Sequence, residues 1–594
     1  MHDVMRTCLA VLCGLALTAT GLGASPAAEE APAAAMEKEM VLDPTTGKMV
    51  SAPEYGGTLT WGDANGAPHC DPHIHGWGPR AIDGVAERLG IRDWAADRNE
   101  ISFTDSYTPL RFIRGALAES WEMADPLTYV YHIRGGVRWH DKAPMNGREF
   151  TAQDVVYNLH RYTGSGSGFT EPGAAGALAA IPFESITASD DSTVVFKLTE
   201  PKVDLREVLA INWHAAMLPP EVIEQHGDLT DCDNMVGTGP YMLTEWVENS
   251  SMTYSKIPDY WGFDEKYPEN RLPYIDQINR LIMPEKETQL AALRSGRLDY
   301  IGQSGGGQLQ PAQVETLQRT NPEIVVYPWA FRSETSVAFN LRQPSPFQDI
   351  RVRKAMQMAI DLETINNTYF RGFAMTKPQG IIGDGLKGFY IPFEEWPEET
   401  RKVFAYDPEG AEALLDEAGY PRSADGIRFE TVVNPVPSWD VGYQEIAAEY
   451  WAAIGVDVEV RITTEIPRLM ALVTEGTYEG MAYMDIGNDG SVQWLMSVLE
   501  IGAQWGRTGH QDPVMDAMAK AAMAAITLEE QQRLVAEADM YSIQQHWFIW
   551  GPKVPQFEAV QPWVIGFNGE IWYTTHAPFE RLWIDSALKS EMGF

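Results

Sequence analysis

Basic residues and cysteines are scarce in this sequence of 594 residues. Lysine and arginine total 45 against 83 aspartate and glutamate residues, which gives a formal net charge of −38 at pH 7. Binding to a phosphate backbone requires a cationic surface, and no run of lysine or arginine supplies one, so the sequence excludes a nucleic-acid-binding protein. The remaining composition is ordinary for a globular protein, and the length predicts three or four domains of about 150 residues each.

Long apolar runs are missing after the N-terminus. There, a short head containing Arg6 precedes the apolar stretch Cys8 to Leu22 and a group of small residues, which is typical of a secretory signal peptide over residues 1–28. The apolar stretch is shorter than the ~20 residues that a membrane-spanning helix needs. Residues 29–54 are rich in proline, alanine and glutamate and predict a disordered tether. We therefore expect an exported protein, periplasmic or associated with the cell envelope.

Only two of the four cysteines, Cys70 and Cys232, lie beyond the predicted signal peptide. In an oxidising compartment these residues could form one disulfide, and two buried free thiols are the alternative. The sequence leaves both possibilities open.

Matches to catalytic motifs lack the structural context that the motifs require. Ser304 lies in a G-x-S-x-G match, but a nucleophile elbow needs a helix directly after the serine, and glycines and Pro311 follow instead. Gly383, Gly385 and Gly388 match a dinucleotide fingerprint, but no helix follows to bind a pyrophosphate. We therefore predict that the protein is not an enzyme, and a secreted serine hydrolase that uses Ser304 is the alternative from a different class.

Potential metal ligands are dense between His69 and His75, where Cys70, Asp71 and His73 also lie. Imidazole and thiolate ligands suit zinc, copper or nickel. No H-E-x-x-H motif or paired C-x-x-C accompanies them, and neighbouring residues on a strand point to opposite faces. We therefore predict a structural loop and no cofactor, with His69, His73 and His75 as weak candidates for a metal site.

Local sequence signals change in character along the chain. In the first half we predict a hairpin of Thr128–Ile133 with Val137–His140, then a helix that starts at a capping box of Thr151 and Asp154. In the second half, helices and strands alternate, which predicts an α/β lobe with an open sheet. The elements predicted there include a helix capped by Asp407, helices over Gln444–Ile454, Pro467–Val473 and Glu529–Gln545, and strands over Val456–Ile462 and Gly480–Ile486.

Ordered blocks along the chain carry a family resemblance. They include GGTLTWG, DPH, LAESWE, TYVYHIRGGVRWHDKAPMNGREFTAQDVVYNLHR, VGTGPYMLTEW, DYWG, LPYIDQI, LRSGRLDYI, VAFNLRQPSPFQDIRVRKAMQMAID and YDPEGAEALLDEAGYP. Together these blocks resemble the family 5 extracellular solute-binding proteins, the peptide/nickel class that delivers ligands to ABC importers. The likeness covers about Gly57 to Glu580.

The resemblance implies an α/β fold of two lobes that close on a ligand like a clamp, with an extra small domain in lobe I. Ligand contacts from both lobes exist only in the closed state, so the ligand favours closure. The implied division is lobe I at 55–105 and 200–325, an extra small α+β domain at 106–199, lobe II at 326–548, and a return to lobe I at 549–594.

The resemblance also implies a binding site. In peptide-binding members an acidic residue after an aromatic-rich strand pairs with the α-amino group of the ligand. The matching stretch here resembles MAYMDIGNDGSVQWL, which implies Asp485 first and Asp489 second. The tryptophan that the family has before this acid is missing, and Tyr483 lies in its region. The aromatic walls of the cleft would come from Trp439, Trp494, Trp505, Tyr483 and Phe331.

Asn340, in the block FNL, would satisfy backbone groups of the ligand. The predicted function is that of a monomeric receptor that binds a short peptide, or a similar small solute, and delivers it to an ABC permease in the membrane. An oligosaccharide receptor is one alternative, because the sequence contains 19 tryptophans and stacked tryptophans suit sugar rings. A receptor for nickel or a nickel chelate is another, and it depends on His69, His73 and His75.

Overall fold

The computed structural model describes residues 39–74, 81–101, 103, 107–173, 178, 181–302, 309–330, 333–436, 440–464, 466–487, 492, 496, 498–499, 508–570 and 578–594. The predicted signal peptide and the first part of the predicted tether lie outside these residues. The prediction of disorder is wrong for the rest of the tether, because Met40–Leu42 pairs with Met49–Ser51 and Asp43 lies 3.3 Å from the Lys266 ammonium group. Within the described ranges, no helix is both long enough and apolar enough to cross a membrane.

The first strands in chain order are β1 (Met40–Leu42), β2 (Met49–Ser51), β3 (Thr58–Asp63), β4 (Gly90–Arg92), β5 (Ile113–Gly115), β6 (Ala118–Asp125), β7 (Thr128–Ile133), β8 (Phe183–Asp190), β9 (Thr193–Leu198), β10 (Tyr241–Val247) and β11 (Ser251–Lys256). They are followed by β12 (Gln277–Ile282), β13 (Tyr300–Ile301), β14 (Val325–Ala330), β15 (Ser333–Phe339), β16 (Phe429–Asn434), β17 (Val456–Val460), β18 (Met481–Gly487), β19 (Phe548–Ile549), β20 (Pro555–Val560), β21 (Val564–Ile565) and β22 (Trp583–Ile584).

The first helices are α1 (Ala152–Thr163), α2 (Leu205–Ile211), α3 (Pro220–His226), α4 (Lys286–Arg294), α5 (Pro311–Thr320), α6 (Ile350–Met358) and α7 (Leu362–Thr368). The later helices are α8 (Glu398–Lys402), α9 (Pro408–Glu417), α10 (Val441–Ala453), α11 (Ile466–Glu475), α12 (Pro513–Met523), α13 (Leu528–Gln545) and α14 (Ser586–Glu591).

A seven-stranded sheet in the order β10-β11-β12-β3-β13-β20-β14 is the centre of lobe I. Strands β12, β3 and β13 run parallel, and β20, from near the C-terminus, runs antiparallel between β13 and β14. Fully buried side chains such as Leu59 and Trp61 on β3 pack into the largest apolar core of the molecule. The C-terminal part of the chain therefore belongs to the same sheet as the N-terminal part.

A five-stranded sheet in the order β17-β16-β18-β15-β19 is the centre of lobe II. Strand β16 runs parallel to β17 and β18, whereas β15 runs antiparallel to β18 and β19. The predicted alternation of strands and helices is confirmed here. The local signals explain it: Asp407 accepts a hydrogen bond from the Gly410 N–H at 2.9 Å, and Pro408 occupies the first turn of α9.

A four-stranded sheet in the order β6-β7-β9-β8 forms a smaller unit with α1. The capping box is confirmed, because the Asp154 carboxylate accepts a hydrogen bond from the Thr151 N–H at 2.9 Å. The predicted hairpin is wrong, because β7 pairs with β6 and β9. Val137–His140 lies instead beside the segment Arg148–Phe150, where the Trp139 N–H donates to the Arg148 carbonyl at 2.9 Å and the Phe150 N–H donates to the Val137 carbonyl at 2.8 Å.

The described chain passes between the two large sheets at two places. Strand β14 of lobe I ends at Ala330 and β15 of lobe II begins at Ser333, and β19 of lobe II ends at Ile549 before β20 of lobe I begins at Pro555. Two lobes that are joined by short crossings of this kind form a hinged clamp. The predicted α/β clamp of two lobes is confirmed.

The open question about the cysteines is answered by a bond between Cys70 and Cys232. Cys70 lies in the loop after β3, and Cys232 lies before β10. The next residue, Asp71, accepts hydrogen bonds from the Arg161 guanidinium at 3.0 and 2.7 Å and from the Leu229 N–H at 3.1 Å. The disulfide and this ion pair together join the loop after β3 to α1 and to the segment before β10.

Candidate ligand cleft

The lobe I side of the cleft is the edge of its sheet where the parallel strands end. Strands β3 and β13 end there at Asp63 and Ile301, and β14 ends at Ala330. Strand β20 begins at the same edge, because it runs antiparallel to β13 and β14. Both crossings to lobe II start from this edge. Ligands of open α/β sheets bind outside the carboxyl ends of the strands, so this edge is the expected binding face.

The lobe II side is defined in the same way. Strand β15 begins at Ser333 directly after the first crossing, and Ser333 pairs with Gly487 at the end of β18. Strands β16 and β19 run in the same direction as β18, and β19 ends at Ile549, where the second crossing begins. Strand β16 ends earlier, at Asn434, which pairs with Ala482 near the start of β18. The carboxyl edge of lobe II therefore also adjoins the crossings. The two carboxyl edges lie on either side of the hinge, and the space between them is the candidate cleft.

Asp485 has its backbone on this edge of lobe II. It pairs with Thr335, two residues before Gly487 at the end of β18. The structure describes the backbone of Asp485 and not its side chain. The other predicted site residues Asp489, Trp439, Trp494, Trp505 and Phe331, and the alternative residues Ser304 and His75, lie outside the described residues.

The side chain of Tyr483 lies inside lobe II and not at the surface of the cleft. Its side chain is only 4% exposed and belongs to the apolar cluster that includes Val337, Met481 and Trp451. Because the ring is buried in this cluster, Tyr483 contributes to the core of lobe II and not to an aromatic wall.

Asn340 lies at the opposite edge of the lobe II sheet. It follows the end of β15, seven residues from Ser333, which corresponds to roughly 23 Å along an extended strand. Its amide group donates to the carbonyls of Gly476 at 3.1 Å and Tyr478 at 2.5 Å, and its Oδ1 accepts from the Arg342 N–H at 3.0 Å. These bonds satisfy the side chain, so Asn340 stabilises a turn and does not bind ligand in the cleft.

Two histidines of the candidate metal stretch, His69 and His73, are described by the structure, and each lies next to other groups of the protein. His73 is 2% exposed, and its ring centroid lies 3.5 Å from that of Tyr162. Burial lowers the pKa of His73 well below its ordinary value, with a smaller contribution from Arg161. The N–H of Asp71 lies 3.3 Å from Nδ1 of His69. Across the described residues, no group of three or more potential ligands is arranged to hold a metal ion.

One buried acid beside the lobe I edge, Glu558, was not predicted from the sequence, whereas Asp440 was among the carboxylates that the sequence offers for a binding site. Glu558 on β20 is 3% exposed, and burial raises its pKa well above the ordinary value. A Cβ atom at Gly302 would lie 2.6 Å from the Glu558 Cα, so the chain needs glycine where β13 ends beside β20. Asp440, after β16, caps α10 by accepting from the Tyr443 N–H at 3.0 Å. The one signal that the sequence offers for Glu558 is that it is the single acid of β20.

Comparison with known proteins agrees with this architecture. The sequence model described as bacterial extracellular solute-binding proteins, family 5 Middle, matches residues 113–503, which is more than half of the chain. The chain belongs to the bacterial extracellular solute-binding proteins of family 5. Members of this family are solute-binding proteins of transport systems.

Individual known proteins resemble the chain over most of its length. Heme-binding protein A of Haemophilus influenzae is 24% identical over 77% of this chain and 81% of its own length. The dipeptide-binding protein of Escherichia coli K12 is 26% identical over 64% of this chain and 66% of its own length. The structure of the ABC transporter-associated periplasmic binding protein DppA from Helicobacter pylori, in complex with the peptide STSA, matches with a TM-score of 0.69 at 21% identity, covering 90% of this chain and 99% of that protein.

Proposed function

We propose that this family 5 protein binds a short peptide, or a similar small solute, between its two lobes and delivers it to an ABC permease in the membrane. The observation that carries the proposal is the position of Asp485, whose backbone lies at the carboxyl edge of lobe II beside the hinge. The names of the dipeptide-binding relative and of the DppA complex with the peptide STSA support the choice of a peptide.

The chemistry of the ligand follows from the acid. An ionised carboxylate in a closing cleft forms a charge-assisted hydrogen bond with a cationic amino group, and such bonds are roughly twice as strong as neutral ones. Asp485, with Asp489 as the second choice, would accept this bond from the α-amino group of the ligand. Trp439, Trp494, Trp505 and Phe331 would supply apolar walls that leave peptide side chains free to vary.

We propose the predicted division of the chain with two boundaries adjusted to the crossings. Lobe I would comprise 55–105 and 200–330, lobe II would comprise 333–549, and the chain would return to lobe I from residue 550. Support comes from the membership of β14 in the seven-stranded sheet and of β19 in the five-stranded one. The small domain at 106–199 would contain the four-stranded sheet, whose strands span Ala118 to Leu198.

We further propose an exported, monomeric receptor without catalytic activity, located in the periplasm or at the cell envelope. The bond between Cys70 and Cys232 supports export, because disulfides persist in oxidising compartments. No reacting group is required for this function, since the protein needs only to bind and release its ligand.

The test is a binding screen of the mature protein by thermal shift and calorimetry. The probes are di- to pentapeptides with free amino termini, the same peptides with acetylated amino termini, oligosaccharides, nickel salts and hemin. We expect stabilisation by free peptides, little or none by acetylated peptides, and weaker peptide binding by Asp485→Asn. Stabilisation by a non-peptide probe alone would refute the peptide assignment, and equal binding of acetylated peptides would remove the anchoring role of the acid.

A further inference from the structure

The described residues between β4 and β5, at 93–101, 103 and 107–112, form an excursion of lobe I, and the two strands pair with each other. An ion pair and a cation–π contact hold this excursion against lobe I. A guanidinium nitrogen of Arg98 lies 3.6 Å from the Glu570 carboxylate, and the Arg581 guanidinium lies 4.9 Å from the centroid of the Trp94 ring. Both Glu570 and Arg581 lie in the C-terminal part of the chain that follows β20 of the lobe I sheet, so the excursion belongs to lobe I.

Tyr107, within this excursion, packs into lobe II. Its ring centroid lies 5.5 Å from that of Phe389, and the two ring planes meet at 89°, which is the edge-to-face arrangement that aromatic pairs favour. Tyr107 is 6% exposed and Phe389 is 1% exposed. The apolar cluster around them also contains Ile381 and Leu386 of lobe II. Tyr107 is thus joined to lobe I through the chain and buried among side chains of lobe II.

The lobe II surface under Tyr107 is held from two sides. The Asp539 carboxylate on α13 accepts a hydrogen bond from the Ile381 N–H at 2.9 Å. Lys553, in the second crossing between the lobes, donates to Gln379 at 3.1 Å and to Asp384 at 2.9 Å. The loop that carries Phe389 is therefore fixed to a helix of lobe II and to the hinge, and it presents a stable surface to Tyr107.

The contact borders a cavity where the excursion meets lobe II. Tyr107 lines this cavity of about 320 Å³ together with Ile101 of the excursion and with Gly388, Leu528 and Gln532 of lobe II. The ring of Tyr107 therefore lies at the junction of the two lobes. A contact between side chains of different lobes exists only while the lobes are together.

We propose that Tyr107 is a latch: its ring inserts against Phe389 when the lobes close, and it stabilises the closed state independently of the ligand. The free energy that is needed to close the lobes reduces the apparent affinity for the ligand. A latch that favours the closed state lowers this free energy and so raises the apparent affinity for any ligand. The inference rests on closure of the two lobes of the family 5 fold and not on the proposed peptide ligand. An aromatic pair of this geometry is expected to shift the ratio of closed to open molecules by about two- to tenfold.

Small-angle X-ray scattering of the ligand-free protein tests the latch. We expect Tyr107→Ala to increase the radius of gyration relative to the wild type, because the closed fraction falls, whereas Tyr107→Phe keeps the ring and leaves the radius unchanged. Phe389→Ala should act like Tyr107→Ala, and the double variant should show no further increase. A matched control is Tyr157→Ala, which removes a similar edge-to-face pair with Phe169, 5.3 Å apart and 77° between planes, within a single lobe.

Thermal unfolding monitored by circular dichroism shows which variants are folded, and either Tyr107→Ala or Phe389→Ala alone is sufficient for the comparison. A radius of gyration in the folded alanine variants that equals that of the wild type, or is smaller, would overturn the latch. The experiment contains no ligand, so that result would leave the proposed peptide function untouched. A failed peptide screen would equally leave the latch standing.

Discussion

Two buried aspartates hold loops of the two lobes by different means. Asp71 in lobe I is fully buried and lies next to a disulfide. Its carboxylate accepts hydrogen bonds from the two terminal nitrogens of the Arg161 guanidinium. Asp539 in lobe II is 5% exposed and accepts from the Ile381 N–H, and burial raises its pKa to about 8. Hydrogen bonds from Ile381 and Ile382 oppose that rise. Burial thus favours the protonated form of Asp539, whereas Asp71 in lobe I is held in an ion pair.

Each lobe therefore fixes its loop with a different kind of interaction. The lobe I loop is fixed by a covalent bond and a bidentate ion pair. The lobe II loop around Ile381 is fixed by a titratable group, and the same loop carries Phe389 and meets the crossing through Lys553. We therefore expect lobe I to be the rigid partner and lobe II to respond to its surroundings. The following four predictions test this contrast.

Arg161→Ala should have the largest effect, because it leaves Asp71 as a buried charge without its cation. The ion pair is almost fully buried, with side-chain exposures of 10% and 0%. Breaking a buried pair of this kind typically costs about 3–5 kcal/mol in the free energy of unfolding. Denaturation by guanidinium chloride measures the loss. The control is Arg533→Ala, which removes an exposed pair with Glu537 and should cost at most about 0.5 kcal/mol. Equal losses in both variants would contradict the contrast.

Removing the disulfide with Cys70→Ser and Cys232→Ser should cost about 2–5 kcal/mol in the free energy of unfolding. The bond closes a loop between residues that are 162 positions apart, which restricts the unfolded chain. The wild type should show the same loss in the presence of a reducing agent, whereas the serine variant should not respond to that agent. A wild-type unfolding midpoint that is unchanged by reduction would show that the bond contributes nothing.

Gly380→Ala should destabilise lobe II by about 1–3 kcal/mol. Gly380 has a φ of +82°, and a Cβ atom there would lie 2.6 Å from the Asp539 carboxylate and 2.7 Å from Ile543. The control is Gly372→Ala, where φ is +81° but no heavy atom lies within 4 Å of the added Cβ. The free energy of unfolding of the control should fall only by the amount that the positive φ costs an alanine. If both variants lose the same stability, the close approach to Asp539 is unimportant.

The pH dependence of stability tests the titration of Asp539. Its pKa is raised from 3.8 to about 8 in the folded protein, so the folded state binds the proton more tightly than the unfolded state between these values. The contribution to stability is therefore fully present below pH 4 and is lost as the pH rises towards 8, with a slope of at most about 1.4 kcal/mol per pH unit. Relative to Asp539→Asn, the wild type should lose stability across this range. A constant difference between the two proteins would contradict the assignment.

The elements that the sequence predicts well are those with local causes. The capping box of Thr151 with Asp154 and the cap at Asp407 each act within one helical turn, and both helices are present as predicted. The pairing of Val137–His140 depends on residues that lie outside the local pattern. The segment follows β7 closely in the sequence and was predicted to pair with it, although its neighbours are Arg148 to Phe150. The bond between Cys70 and Cys232 could not be predicted either, because the two residues are 162 positions apart and are brought together only by the fold.

The candidate site was harder to predict than the fold. Family resemblance led to the strand of Asp485, which lies at the cleft edge, and the identity of the anchoring acid stays a prediction. Asn340 and Tyr483 follow or occupy strands in the way that ligand-binding residues do, but tertiary packing commits them to a turn and to the core. Sequence patterns show which residues end a strand. They do not show which edge of the sheet that end belongs to.

The central claim is that the two carboxyl edges enclose a peptide whose amino group meets Asp485. The most direct measurement is mass spectrometry of the ligand released from protein that has been purified from its native compartment without denaturation. We predict peptides of a few residues with free amino termini, and their loss from Asp485→Asn purified in the same way. Release of a sugar, a metal chelate or heme without peptide, or equal peptide retention by the variant, would contradict the claim.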